Sequence, residues 1–235
     1  MEFVNRARPN MSNDAVFQTL AGSGVIPVLA IESVEAALPL ADALLDGGLP
    51  VAEITFRTAA AAEVIAKLCR QRPQLLVGAG TVLTPANLEA AVACGARFGV
   101  APGLNPRIVQ LARQHRLPFI PGVATASEIE EALELDCRTV KYFPAELAGG
   151  VKMLEALSGP YAHTGLRFVP TGGVTAGNLA AYLSLPAVLA VGGTWIAKKD
   201  DPAAGRWSEI RRRCQAAVEI VRQVRQKAAT AGRVL

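Results

Sequence analysis

Aromatic residues make up only 5% of this 235-residue chain, histidine occurs twice and cysteine four times. Each scarcity removes a class of function. His115 and His163 stand alone, and Cys69, Cys94, Cys137 and Cys214 are far apart, so no Cys-x-x-Cys pair or Cys/His set has the spacing of a metal site. The cysteines read as reduced structural thiols, and neither a metal nor a cofactor is expected. Long apolar runs are also missing: stretches such as Val25 to Ile31 fall far short of the ~20 residues that cross a bilayer. The start, with Glu2, Arg6, Arg8 and Pro9, lacks the apolar centre of a signal peptide, so a cytoplasmic location and no membrane partner are expected. The net charge of +4 is modest, and much of the excess lies between Arg206 and Arg233. There Arg211, Arg212 and Arg213 fall on an amphipathic pattern with few aromatics for base stacking, which reads as a solvated helix face rather than a nucleic-acid surface.

What is abundant is small and aliphatic: 51% of the chain is hydrophobic, with Ala, Val and Leu prominent. Buried parallel strands covered by helices have this composition. Short apolar runs begin near Val25, Val51, Leu75, Phe98, Pro118, Thr139, Arg167 and Ala187, and a longer Ala/Leu-rich helical pattern follows each. Gly47-Gly48, Gly95 and Leu185-Pro186 punctuate helix ends, while Ser33, Thr84, Asn105, Thr125 and Asn178 are candidate N-caps. Eight such β-then-α units favour an α/β fold closed on itself, a single (β/α)8 TIM barrel, because right-handed crossovers then leave no unpaired edge. An extra N-terminal helix, about Asp14 to Leu20, is expected to cap the closed end. The barrel domain is expected over residues 13–235. Residues 1–12 form an N-terminal extension, expected to be flexible, and Met11 is an alternative start.

A TIM barrel keeps its chemistry at the C-terminal ends of its strands. Lys141 sits there in the sixth unit, in Val140-Lys141-Tyr142-Phe143-Pro144, where strand alternation puts it on one face with Phe143. Desolvation favours the uncharged form of an amine, and that form is the nucleophile for a ketone. Taken alone, Lys141 reads better as one half of a structural ion pair. The second strand shifts the balance, because Glu53, Thr55 and Arg57 recur at every second position and share the interior direction, with Ile54 and Phe56 turned to the helices. A carboxyl group beside a neutral amine can shuttle protons, and the guanidinium fork of Arg57 suits a substrate carboxylate. A purely structural Glu53–Arg57–Lys141 cluster is the competing reading.

Three glycine-rich turns follow the third, seventh and eighth strands: Gly78-Ala79-Gly80-Thr81, Thr171-Gly172-Gly173-Val174 and Gly192-Gly193-Thr194-Trp195. The last two occupy the places where barrels build a phosphate cradle from backbone amides and helix N-termini, with Thr194 as an added donor. Each pair also fits a tight turn that needs positive φ. Thr81 lies nearer Glu53 and is assigned to the keto-acid end.

The chain resembles the 2-keto-3-deoxy-6-phosphogluconate (KDPG) aldolase family, also described as 4-hydroxy-2-oxoglutarate aldolase, from about Gly24 to Ala197. The carrying segments are Glu53-Ile-Thr-Phe-Arg57-Thr, Val77-Gly-Ala-Gly-Thr81-Val-Leu, Ala101-Pro102-Gly103, Lys141-Tyr-Phe143-Pro-Ala-Glu146 with Gly149-Gly150, Pro170-Thr171-Gly-Gly173 and Gly192-Gly-Thr194-Trp. The resemblance implies a Schiff base on Lys141, Glu53 as general acid/base, and Arg57 with Thr81 on the pyruvyl carboxylate. It places phosphate against Gly172, Gly173, Gly193 and Thr194, and Pro102, Phe143, Thr171 and Gly192 complete the expected substrate-binding set. It further implies cleavage of the phosphorylated keto acid to pyruvate and glyceraldehyde 3-phosphate, as in the Entner-Doudoroff pathway, by a homotrimer. Two features depart from the family pattern: Thr194 stands where serine is expected, and the start is longer. The alternatives are an aldolase for the galactonate epimer or for 4-hydroxy-2-oxoglutarate, and a non-catalytic barrel that binds sugar phosphates.

Overall fold

A computed structural model describes residues 12–230 and 232; residues 1–11 of the expected extension lie outside the described residues. The chain alternates strand and helix as follows: α1 (Asn13–Ser23), β1 (Val25–Leu29), α2 (Ala37–Asp46), β2 (Val51–Thr55), α3 (Ala61–Gln71), β3 (Leu76–Gly80), α4 (Pro85–Cys94), β4 (Gly99–Val100) and α5 (Pro106–Gln114). It continues through β5 (Phe119–Ile120), β6 (Gly122–Val123), α6 (Ala126–Glu134), β7 (Thr139–Tyr142), α7 (Gly150–Ser158), a 3-10 turn, β8 (Arg167–Pro170), α8 (Leu179–Leu183), β9 (Val191–Gly193) and α9 (Trp207–Thr230).

Every strand pair is parallel. One run of the sheet reads β5-β4-β3-β2-β1-β9 and the other β6-β7-β8. Bridges Phe168↔Val188 and Thr171↔Gly192 join β8 to the last strand, and β6 continues β5 across Pro121. The result is a curled parallel sheet of the TIM-barrel kind. The fifth strand is therefore split, where one unbroken run was expected. Pro121 has no N–H for the ladder, although its carbonyl still accepts from Lys141 N at 2.8 Å.

Alternation along each strand divides the apolar residues into two layers. Ala52, Ile54, Val77, Ala79, Val140 and Tyr142 face the helices. Val51, Leu76, Phe98, Val100, Ile120 and Val169 fill the barrel interior, together with Val16 and Leu20 of α1. The extra N-terminal helix thus closes the bottom of the barrel, as expected. Thr84, Asn105 and Thr125 cap their helices, Thr125 through a reciprocal capping box with Glu128. Asn178 occupies the N-cap position of α8, but its side chain accepts from Thr175 N instead. Ser33 is not an N-cap: α2 starts at Ala37 because Pro39 confines the helix to the turn it initiates, and Ser33 donates to Glu35 at 2.6 Å.

The long α9 packs on α2 and α8. Arg211 and Arg212 face solvent as expected. Arg213 does not; it turns in with Arg206 to pair with Asp201, which is 1% exposed in the β9–α9 loop. Burial alone raises a carboxyl pKa, but hydrogen bonds from Arg206, Arg213 and Lys198 N outweigh it and hold Asp201 down at about 2. No described helix is long and apolar enough to cross a membrane.

Candidate active site

Glu53 enters the barrel from β2 with the same parity as Val51, and Lys141 enters from β7 with the parity of Thr139. The strands lie on opposite walls, so the two side chains meet across the interior. Lys141 Nζ stands 3.8 Å from Glu53 Oε1, with both residues 5% exposed or less. That separation is an ionic contact but too long for a hydrogen bond. Glu53 Oε1 accordingly has no hydrogen-bond partner among the described residues. A buried acceptor in this state is costly unless a ligand or a reaction uses it. On its other flank the Lys141 amine lies 5.3 Å from the centre of the Phe143 ring.

The space for Glu53 is made by glycine. A Cβ on Gly80 would stand 2.2 Å from Glu53 Oε1, and one on Gly78 would stand 2.3 Å from the Phe98 ring. Gly78 and Gly80 are thus interior residues of β3 rather than part of a turn. The same correction applies to Gly192 and Gly193 in β9, which have no positive φ. A Cβ on Gly192 would lie 2.1 Å from Thr171 Oγ1, and one on Gly193 would lie 2.4 Å from the Trp195 ring. Gly172 and Gly173 differ in kind, with φ of 98° and 81°, and form a true left-handed turn after β8. A Cβ on Gly172 would sit 3.3 Å from the Phe143 ring, so this turn lies directly beside the Lys141 wall.

The remaining expected residues line the same end of the barrel. Thr55 is buried and donates to Leu29 O at 3.0 Å, and Arg57 Nε donates to Thr55 Oγ1 at 3.0 Å. Arg57 is exposed at the mouth, and among the described residues no ion pair joins it to Glu53 or Lys141. The three-membered charge cluster of the competing reading is therefore only a pair, with the guanidinium standing apart. Thr81 follows β3, next to Phe56, whose N–H donates to Gly80 O. Its φ of 56° is unusual for a β-branched residue and costs on the order of 1 kcal/mol. Pro102 is half-buried in the β4–α5 loop, which closes on β6 because Gly122 has no Cβ to strike Pro102 O. Thr171 is buried beside Gly192, and Thr194 is exposed. Neither glycine pair runs directly into a helix: α8 begins at Leu179, after the expected N-cap position Asn178, and α9 begins at Trp207. Any cradle here is one of loop amides.

The aldolase family described as KDPG and KHG aldolase matches residues 16–214. The chain belongs to this family. Among its curated relatives, the 2-dehydro-3-deoxy-phosphogluconate aldolase of Treponema pallidum is 48% identical over 88% of this chain and 97% of its own length. The protein of the same name from Haemophilus influenzae is 44% identical over 88% of this chain and 97% of its own length. Among solved structures, KDPG aldolase from Legionella pneumophila, with pyruvate captured at low pH as a covalent carbinolamine intermediate, superimposes with a TM-score of 0.83. It is 42% identical and covers 88% of this chain and 98% of that one.

For a member of the KDPG and KHG aldolase family, one contact near the site escapes motif reading. Glu146, the last residue of the lysine segment, accepts a hydrogen bond from the hydroxyl of the buried Tyr182 on α8. Its own N–H donates to Gly172 O at 3.0 Å. A cavity of about 630 Å³ lies at the opposite end of the barrel, between Asp14, Arg113, Arg138 and Arg167, and includes none of the site residues.

Proposed function

We propose that this protein is a class I aldolase, a carbon–carbon lyase, that cleaves 2-dehydro-3-deoxy-6-phosphogluconate to pyruvate and glyceraldehyde 3-phosphate. The observation that carries the reading is the buried Lys141–Glu53 pair, 3.8 Å apart, with a carboxylate oxygen that no donor among the described residues satisfies. Lys141 attacks the C2 ketone, and loss of water leaves an iminium. Glu53 removes the proton of the C4 hydroxyl, directly or through water, the C3–C4 bond breaks, and its electron pair passes into the iminium to give an enamine. Glyceraldehyde 3-phosphate leaves. Protonation of the enamine at C3 and hydrolysis of the resulting imine free pyruvate and return Lys141.

In this assignment Arg57 and Thr81 bind the carboxylate of the keto acid, and Phe143, Thr171 and Pro102 shape the space around the reacting carbons. Gly172, Gly173, Gly192, Gly193 and Thr194 receive the phosphate. The strained backbone of Thr81 supports its assignment, since strain of this kind collects at functional positions. Residues 13–235 act as one domain in the cytoplasm. The subunits form a homotrimer, a reading that rests on the family resemblance.

The test is borohydride reduction in the presence of pyruvate, followed by peptide mass mapping. The reduced pyruvyl adduct is expected on Lys141. Labelling of Lys152 or Lys67, or no labelling at all, would refute the assignment, and the last result would favour a barrel that only binds sugar phosphates. Relative kinetics on the gluconate and galactonate epimers and on 4-hydroxy-2-oxoglutarate decide substrate preference.

A further inference from the structure

The Gly172–Gly173 turn has no side chains with which to hold its own shape. Both residues sit in the left-handed region, with φ of 98° and 81°, and glycine there is also free to leave it. A turn that must present amides in one arrangement therefore needs support from outside. Glu146 touches it at two points. Its N–H donates to Gly172 O at 3.0 Å, and its Cβ and Cγ occupy the space that a Cβ on Gly173 would take, 2.6 Å away. The neighbouring Ala145 N–H donates to Thr171 O at 2.8 Å.

Glutamate is a poor choice beside an anion-receiving turn unless its charge is committed elsewhere. Here it is. The carboxylate accepts from the Tyr182 hydroxyl. It also lies against the start of α7, where a Cβ on Gly150 would stand 3.4 Å from Glu146 Oε1, and the first turn of a helix favours negative charge. Tyr182 is fully buried on α8, the helix that follows the turn, so the Glu146–Tyr182 bond ties the segment after β7 to the segment after β8 across the turn. Asn178 holds the far side, with its Nδ2 donating to Gly173 O at 3.4 Å and its Oδ1 accepting from Thr175 N at 2.7 Å.

We infer that Glu146 is a positioning residue: latched by Tyr182, it holds the Gly172–Gly173 turn in its anion-receiving form and so sets the preference for phosphorylated over unphosphorylated keto acids. The inference rests on the aldolase reading and on the assignment of this turn to phosphate. Chemistry at Lys141 lies outside its reach, so its loss should be felt by one end of the substrate only.

The experiment compares Glu146→Ala, Glu146→Gln and Tyr182→Phe with the parent protein in three measurements. These are the dissociation constant of inorganic phosphate by 31P NMR titration, kinetics on the phosphorylated substrate and on 4-hydroxy-2-oxoglutarate, and borohydride trapping of pyruvate. Glu146→Ala should weaken phosphate binding and raise KM for the phosphorylated substrate by roughly 10-fold or more, the scale of one lost anchoring bond or a small misplacement. Tyr182→Phe should move both in the same direction. Glu146→Gln, which keeps the acceptor and the volume, should restore most of the loss. Trapping and kcat/KM for 4-hydroxy-2-oxoglutarate should stay within about 2-fold. Unchanged phosphate affinity in both Glu146→Ala and Tyr182→Phe, or equal losses on both substrates, would overturn the inference. Should Glu146→Ala fail to fold, Tyr182→Phe decides on the same criteria. Failure of the parent protein to trap pyruvate would sink the aldolase reading instead, and the phosphate titration would still judge the latch.

Discussion

Replacing Gly80 by alanine adds one methyl group at a residue assigned no part in binding or chemistry, and it should nevertheless disable the enzyme. The new Cβ would stand 2.2 Å from Glu53 Oε1, 2.7 Å from its Cγ and 2.8 Å from its Cδ, all inside van der Waals contact. Relief requires the carboxyl end to retreat by roughly 1 Å, because carbon and oxygen atoms do not pack closer than about 3 Å. β3 cannot supply that movement, since Gly80 is in register with Thr55 and its carbonyl accepts from Phe56 N at 2.8 Å. Glu53 must therefore move relative to a lysine that now stands 3.8 Å away. A misplacement of 1 Å in a catalytic group costs on the order of 10²-fold in rate. Overpacking of this size costs about 1–3 kcal/mol of stability, which a domain of this length survives. The assay is pyruvate release from the phosphorylated keto acid, coupled to lactate dehydrogenase, alongside thermal unfolding. A folded Gly80→Ala protein with turnover within about 3-fold of the parent would show that the position of Glu53 does not matter, and would remove it from the mechanism.

Other outcomes concern stability. Asp201→Asn takes the charge from a carboxylate that is 1% exposed and removes the ion-pair partner of Arg206 and the shorter of two for Arg213, which keeps Glu209 at 3.7 Å, so it should cost roughly 3 kcal/mol, read by urea unfolding. Because the pKa of Asp201 is depressed from 3.8 to about 2 in the folded protein, its contribution, on the order of 2 kcal/mol, is present in full above about pH 4 and lost as pH falls toward 2. Acid unfolding of Asp201→Asn should lack that component; an identical profile from pH 5 to 2 would refute the linkage. Gly22→Ala, on α1 with nothing within 4 Å of the added carbon, should stabilise by roughly 0.5–1 kcal/mol without changing turnover. A loss of stability would mean that α1 is not helical there.

The parts of the fold and site that a single strand or helix records in its own period were legible in the sequence. Alternation in Ala52-Glu53-Ile54-Thr55 and Val140-Lys141-Tyr142-Phe143 places Glu53, Thr55, Lys141 and Phe143 inward, and the structure has them there. Arg213 was equally legible, three residues from Ile210 and four from Ala217 on the buried face of α9, but three consecutive arginines suggest solvent when read as a group. Pro121, inside the fifth apolar run, already marks the break between β5 and β6. The roles of Gly78, Gly80 and Gly192 were not legible. A glycine required by a close approach is defined by its partner, and Glu53 lies on another strand while Phe98 and Thr171 flank others. The Glu146–Tyr182 bond is hidden for the same reason, its members being 36 positions apart.

The stopper that Val16 and Leu20 of α1 form at one end of the barrel has a kinetic corollary. With the far end plugged by aliphatic side chains, the described residues leave the strands' C-terminal mouth as the doorway, which inbound ketone and outbound aldehyde share. On the proposed mechanism the aldehyde fragment departs while the three-carbon remainder is still tethered to Lys141, and that remainder then blocks the passage only until its tether is cut. Departure is therefore sequential, and the enzyme run in reverse must take up pyruvate before it can use an aldehyde.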